Sequence, residues 1–114
     1  MESINRQVMV IKPKPAYVKW INSLPDMDED PCTIESLNDD CTAALIPHFD
    51  DDSKSVKFVK NIFPQLFEIE LGSWSTDESA WPKKRTYSLF CEWFHIEFHS
   101  EVFDFGTGPV RVEE

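Results

Sequence analysis

The chain has 114 residues, 41% of them hydrophobic and 13% aromatic, with only three glycines, which describes one globular domain over 1–114 and excludes an intrinsically disordered chain. Its formal charge of −10 at pH 7 opposes the phosphate backbone of nucleic acids and the surface of anionic membranes. The longest apolar run falls far short of the roughly 20 residues that cross a bilayer, and MESINRQ lacks a basic-then-apolar leader pattern, so the expected compartment is the cytoplasm.

In chain order, Arg6 to Lys12 is a β-branched run stopped by Pro13 and Pro15, which predicts a first strand. Pro15 then opens a short helix in which Tyr17, Val18, Trp20, Ile21 and Leu24 recur at helical spacing until Pro25. Residues 25–40 are acidic and punctuated by prolines, which predicts a long surface loop in which Thr33, Ser36 and Leu37 can form one helical turn. Cys41 to Phe49 is nearly continuously apolar and suits a strand covered on both faces, with Pro47 placing its end near a sheet edge.

Asp50 to Ser53 form an acidic N-terminal cap for a helix whose buried stripe is Val56, Val59, Ile62, Phe63, Leu66 and Phe67. Pro64 predicts a kink or a new segment there, and Gly72 a terminator just past the helix. A capping-box spacing at Ser75 and Glu78 leads to a further helix carrying Tyr87, Phe90, Cys91 and Phe94, with Lys83, Lys84 and Arg85 crowding its entrance against the dipole. From Phe94 the period changes to two, which predicts a last strand running to about Phe105 and Gly106, followed by a poorly ordered tail over 107–114. The resulting order is strand, helix, strand, helix, helix, strand. It predicts an α+β fold, a small mixed sheet of three or four strands with about three helices on one face.

The acidity is local. Between Lys19 and Lys54 there are ten acids, among them Asp26, Asp28, Glu29 and Asp30, and no Lys or Arg, while the rest of the chain balances at eleven against eleven. Such a face steers a basic protein partner, although exposed acids also serve simply to solvate loops and cap helices. The runs DMDED and FDDDS have the composition of a calcium loop without its glycine and terminal glutamate.

Two further constellations stand out. In His95, Glu97, His99 and Glu101, strand periodicity projects alternate side chains to one face, where two imidazoles and a carboxylate can share zinc or another divalent metal if a further ligand completes the set. The set lacks a third strong ligand unless His48 or a neighbouring acid supplies it, and the same alternation arises from cross-strand pairing with Lys or Arg. Trp74, Trp81, Tyr87 and Trp93 lie close in sequence to Lys83, Lys84 and Arg85, a combination enriched in binding hot spots and equally at home in a core. Cys32, Cys41 and Cys91 are odd in number and widely spaced, which fits reduced thiols; Cys41 and Cys91 lie within apolar patterns, where thiols are inert. No complete catalytic or cofactor motif is present.

In VKWINSLPD, SWSTDESAWPKKR and CEWFHIEFHSEVFD the chain resembles a small group of bacterial hypothetical proteins of similar length. That resemblance implies a bacterial cytosolic origin and carries no activity, substrate or site residue. The leading expectation is a non-enzymatic acidic interaction domain, such as an adaptor, inhibitor or immunity-type protein, that binds a basic protein through Asp26, Asp28, Glu29 and Asp30 or through Trp74, Trp81 and Arg85. The alternatives are a metal-dependent binding protein or hydrolase using His95, Glu97 and His99, and a homodimer joined through an apolar patch.

Overall fold

The computed structural model describes residues 3–25 and 31–113. Three strands and four helices follow in the order β1 (Arg6–Pro13), α1 (Pro15–Asn22), α2 (Ile34–Asn38), β2 (Thr42–Pro47), α3 (Asp52–Gly72), α4 (Tyr87–Trp93) and β3 (Phe94–His99), with one 3-10 turn at Glu78–Ala80 before α4. The α+β class is as expected, with β1 central in a sheet of order β2-β1-β3.

The sheet is antiparallel throughout, which corrects the expected mixed sheet. Thr42 lies opposite Ile11, and Phe94 lies opposite Pro13, so both neighbours begin at the end where β1 finishes. The connection through α1 and α2 brings the chain back to the end it left, whereas a parallel partner requires a crossover to the other end.

Alternation along β1 separates two faces. Gln7, Met9 and Ile11 are buried, and Met9 and Ile11 join Ile46 of β2, Phe94 of β3, Tyr17 and Ile21 of α1, Val59, Leu66, Phe67 and Leu71 of α3, and Phe90 of α4 in one apolar cluster. The helices therefore pack on one side of the sheet. Phe67 is the hinge of this core, in edge-on contact with Phe90, Trp93 and Phe94 at centroid distances of 5.6, 5.5 and 5.8 Å. One polar pair sits inside it, where the Gln7 side-chain amide donates to Ser55 Oγ at 2.6 Å and links β1 to the first turn of α3.

Several local expectations change. β2 is covered on one face only, and Leu45, opposite Val8 on the other face, remains 49% exposed, because the helices pack on one side of the sheet. α3 continues through Pro64 for 21 residues, since the buried side chains Val59 and Leu66 hold both flanks against the sheet. Its last residue is Gly72, with Ser73 as the cap in ordinary right-handed geometry. Asp77, not Ser75, caps the 3-10 turn by accepting from Ser79 N at 3.0 Å. α4 starts after Thr86, whose Oγ1 accepts from Leu89 N at 3.1 Å, so Lys83, Lys84 and Arg85 lie just ahead of its first turn. β3 stops at His99, and beyond it a single bridge pairs Ser3 with Phe103.

Candidate functional site

A cavity of about 160 Å³ opens where the starting end of β2 meets the last turn of α3. The pairing of Ile11 with Thr42 places the Thr42 side chain beside β1, and α1 brings in Tyr17 from the buried stripe that its apolar spacing creates. Glu70 enters from α3 one turn beyond the core residues Leu66 and Phe67, and Trp74 closes the outer wall, 39% exposed. Asp40 and Cys41, just after α2, form the rim.

The chemistry centres on Glu70. The Tyr17 hydroxyl donates to the Glu70 backbone carbonyl at 2.7 Å and lies 3.5 Å from Oε2 of the same residue. Oε1 is shielded from solvent and has no hydrogen-bond partner among the described residues. Burial pushes the Glu70 carboxyl above its ordinary range, opposed in part by the Thr42 and Tyr17 hydroxyls. The Tyr17 hydroxyl is raised as well, first by burial and then by the nearby Glu70 charge, which keeps it a donor at all physiological pH. Burial also raises the Cys41 thiol, with Lys12 acting in the opposite direction, so this cysteine is not an activated nucleophile.

Of the residues singled out in the sequence, His95, Glu97 and His99 do share one sheet face. Their face is the one without helices, opposite Lys12, Val10 and Val8 of β1. Lys12 Nζ lies 3.3 Å from Glu97 Oε1 and His99 Nε2 lies 3.6 Å from Glu97 Oε2, and the Lys12 contact is the main reason that the Glu97 carboxyl is held below its ordinary range. Among the described residues no group of three or more His, Cys, Asp and Glu side chains is placed to hold a metal ion.

Trp74, Trp81 and Arg85 are not one exposed patch. The Trp81 indole donates to Ser75 O at 2.9 Å, and the Arg85 guanidinium stacks on the Trp81 ring at 5.6 Å while reaching Pro82 O and Glu68. Trp74 belongs to the cavity instead. Asp26, Asp28, Glu29 and Asp30 lie outside the described residues. Asp50 and Asp51 serve α3: Asp50 pairs with Lys54 at 3.0 Å, and Asp51 accepts from Ser53 N at 2.9 Å, which holds both carboxyls below their usual values. Glu35, Asp39 and Asp40 are exposed and form no ion pair with any described residue.

No protein-family model, curated protein or solved structure matches the chain.

The cavity joins residues far apart in sequence, and one local signal marks it. Glu70 falls three residues after Phe67 and four after Leu66, a carboxylate in line with an apolar stripe. A charged residue at such a position is expected to be paired, solvated or functional.

Proposed function

We propose that this chain is a non-enzymatic, acidic interaction domain that binds a basic protein. The observation that carries this reading is the unopposed charge around α2. Glu35, Asp39 and Asp40 are exposed and unpaired among the described residues, while the two β1-end lysines are committed elsewhere. Lys12 pairs with Glu97, and Lys14 Nζ donates to Cys91 O at 2.6 Å. No Lys or Arg interrupts the sequence from 20 to 53, so this stretch contributes negative charge alone apart from His48. Such a field raises the rate at which a positively charged surface docks and fixes its orientation, with an effect that salt screens over about 10 Å at 0.1 M.

The test uses the full chain as bait at low and at moderate salt, followed by binding measurements on the purified captured protein. A basic protein retained at low salt, released at moderate salt and lost by the variant E35Q/D39N/D40N supports the proposal. Retention unchanged in that variant, with loss when Glu92, Glu101 and Asp104 are neutralised instead, contradicts it.

A further inference from the structure

We propose that the cavity between Thr42, Glu70 and Trp74 is a binding site for a primary alkylammonium group. Three observations converge on this chemistry. First, Glu70 Oε1 is buried and has no hydrogen-bond partner among the described residues, since the Tyr17 hydroxyl lies toward Oε2 and the Thr42 hydroxyl stands near the carboxyl without closing a bond to Oε1, and an orphan buried oxygen requires a reason. A carboxylate accepts only, so the missing partner is a donor, and a charged N–H donor makes the strongest such bond.

Second, among the described residues the formally charged groups on the cavity wall are Glu70 and Asp40, both acidic. An anion entering there meets repulsion from both, and a neutral alcohol leaves the charge uncompensated. Third, the remaining wall suits a short alkyl chain ending in a cation. Ile11, Leu37 and Phe94 supply apolar surface, and the exposed Trp74 lines the opening with an indole, the ring type that attracts an ammonium most strongly. The volume of about 160 Å³ equals about five waters at roughly 30 Å³ each, the size of a four- or five-atom chain. Because the terminal torsion of Glu70 is soft, the carboxyl can turn an oxygen toward a bound ammonium, giving up the 3.5 Å contact of Oε2 with Tyr17 while the Tyr17 bond to the Glu70 backbone carbonyl holds α3.

The ammonium enters past Asp40, exchanges its water for Glu70 and the Thr42 hydroxyl, and leaves its alkyl stem against Ile11 and Leu37. The same chemistry is offered by a free amine and by a lysine side chain on another protein. The site stands whether or not the acidic surface around α2 binds a partner.

The experiment is a titration of the full-length ¹⁵N-labelled chain at neutral pH, read from the amide shifts of Thr42, Glu70 and Leu71 and the indole shift of Trp74. Probes are n-butylammonium chloride, sodium butyrate and 1-butanol, with an acetylated, lysine-containing pentapeptide as the second arm. The expected result is saturable shifts at these positions with butylammonium, none with butyrate, and at least tenfold weaker binding of butanol. Glu70→Gln weakens butylammonium at least tenfold, and Trp74→Ala weakens it severalfold. Tighter binding of the peptide identifies a protein side chain as the source, and equal or tighter binding of butylammonium identifies a free amine. Equal affinity for butanol and butylammonium, or no saturable shift at the cavity with either ammonium probe, overturns the proposal. The butanol comparison uses the wild-type chain and decides the matter even where Glu70→Gln fails to fold.

Discussion

The Tyr17 hydroxyl donates to the backbone carbonyl of Glu70 across 2.7 Å, and this bond closes the end of the longest helix. A helix leaves its last four carbonyls without intrahelical partners. In α3 the carbonyls of Ile69 and Leu71 are taken by Ser73 N and Ser75 N, at 3.2 and 3.0 Å, and that of Glu70 is taken by a side chain from α1. The same hydroxyl therefore caps α3, holds α1 in place and forms the floor of the cavity.

Tyr17→Phe removes that donor and leaves the Glu70 carbonyl unpaired in a buried setting. The expected loss of stability is about 1–3 kcal/mol. Urea denaturation checks it: the midpoint falls while the slope is unchanged, because the surface exposed on unfolding stays the same.

Glu70 makes stability depend on pH with a definite sign. Its carboxyl is raised in the folded chain above the ordinary 4.5, so between the two values the folded state binds more protons than the unfolded state. Stability contributed by this group is then intact below about pH 4.5 and is lost as the pH climbs through the raised value. Asp50, Asp51, Asp77 and Glu97 act oppositely, being held low, and their contribution fades as the solution is acidified. Glu70→Gln is predicted to flatten the decline on the alkaline side and leave the acid limb alone, measured as melting temperature from pH 3 to 8. An unaltered alkaline side refutes the assignment.

The Gln7–Ser55 pair is buried on both sides, at 3% and 1% exposure. Ser55→Ala strands the Gln7 amide and is expected to cost about 1–3 kcal/mol, whereas replacing both partners with Gln7→Leu and Ser55→Ala recovers much of that loss. A double-mutant cycle on denaturation midpoints gives the coupling directly.

Pro64 sits inside α3 on its exposed side. It supplies no N–H to the Lys60 carbonyl, and proline in a helix interior costs about 3 kcal/mol relative to alanine. Pro64→Ala is expected to stabilise the chain by about 1–3 kcal/mol, since part of that cost has been relaxed by local adjustment. A lower melting temperature in this variant would show that the proline is used by the fold.

Periodicity made the strands and helices legible because each buries one face. Met9 and Ile11 alternate, and Val59, Leu66 and Phe67 recur at helical spacing, so both patterns report directly on the core. Strand direction was not legible, because it depends on which end of β1 the chain returns to, and no residue between 14 and 41 encodes that alone. The continuity of α3 through Pro64 is not legible for a related reason: local breaker strength yields to packing on both flanks. Trp74 and Trp81 look alike in sequence and part in space, one on a cavity and the other bonded to Ser75. Glu70 carried a readable signal, a carboxylate in register with Leu66 and Phe67, but its meaning required Tyr17, which is 53 residues away.

The central claim is that the unopposed acids around α2 bind a basic protein. The most direct measurement is the affinity of the purified partner for the wild-type chain and for E35Q/D39N/D40N across a series of salt concentrations. Affinity for the wild-type chain is predicted to fall steeply with salt, and the variant to bind weakly with a flatter dependence. Equal affinities and equal salt slopes for the two chains would contradict it.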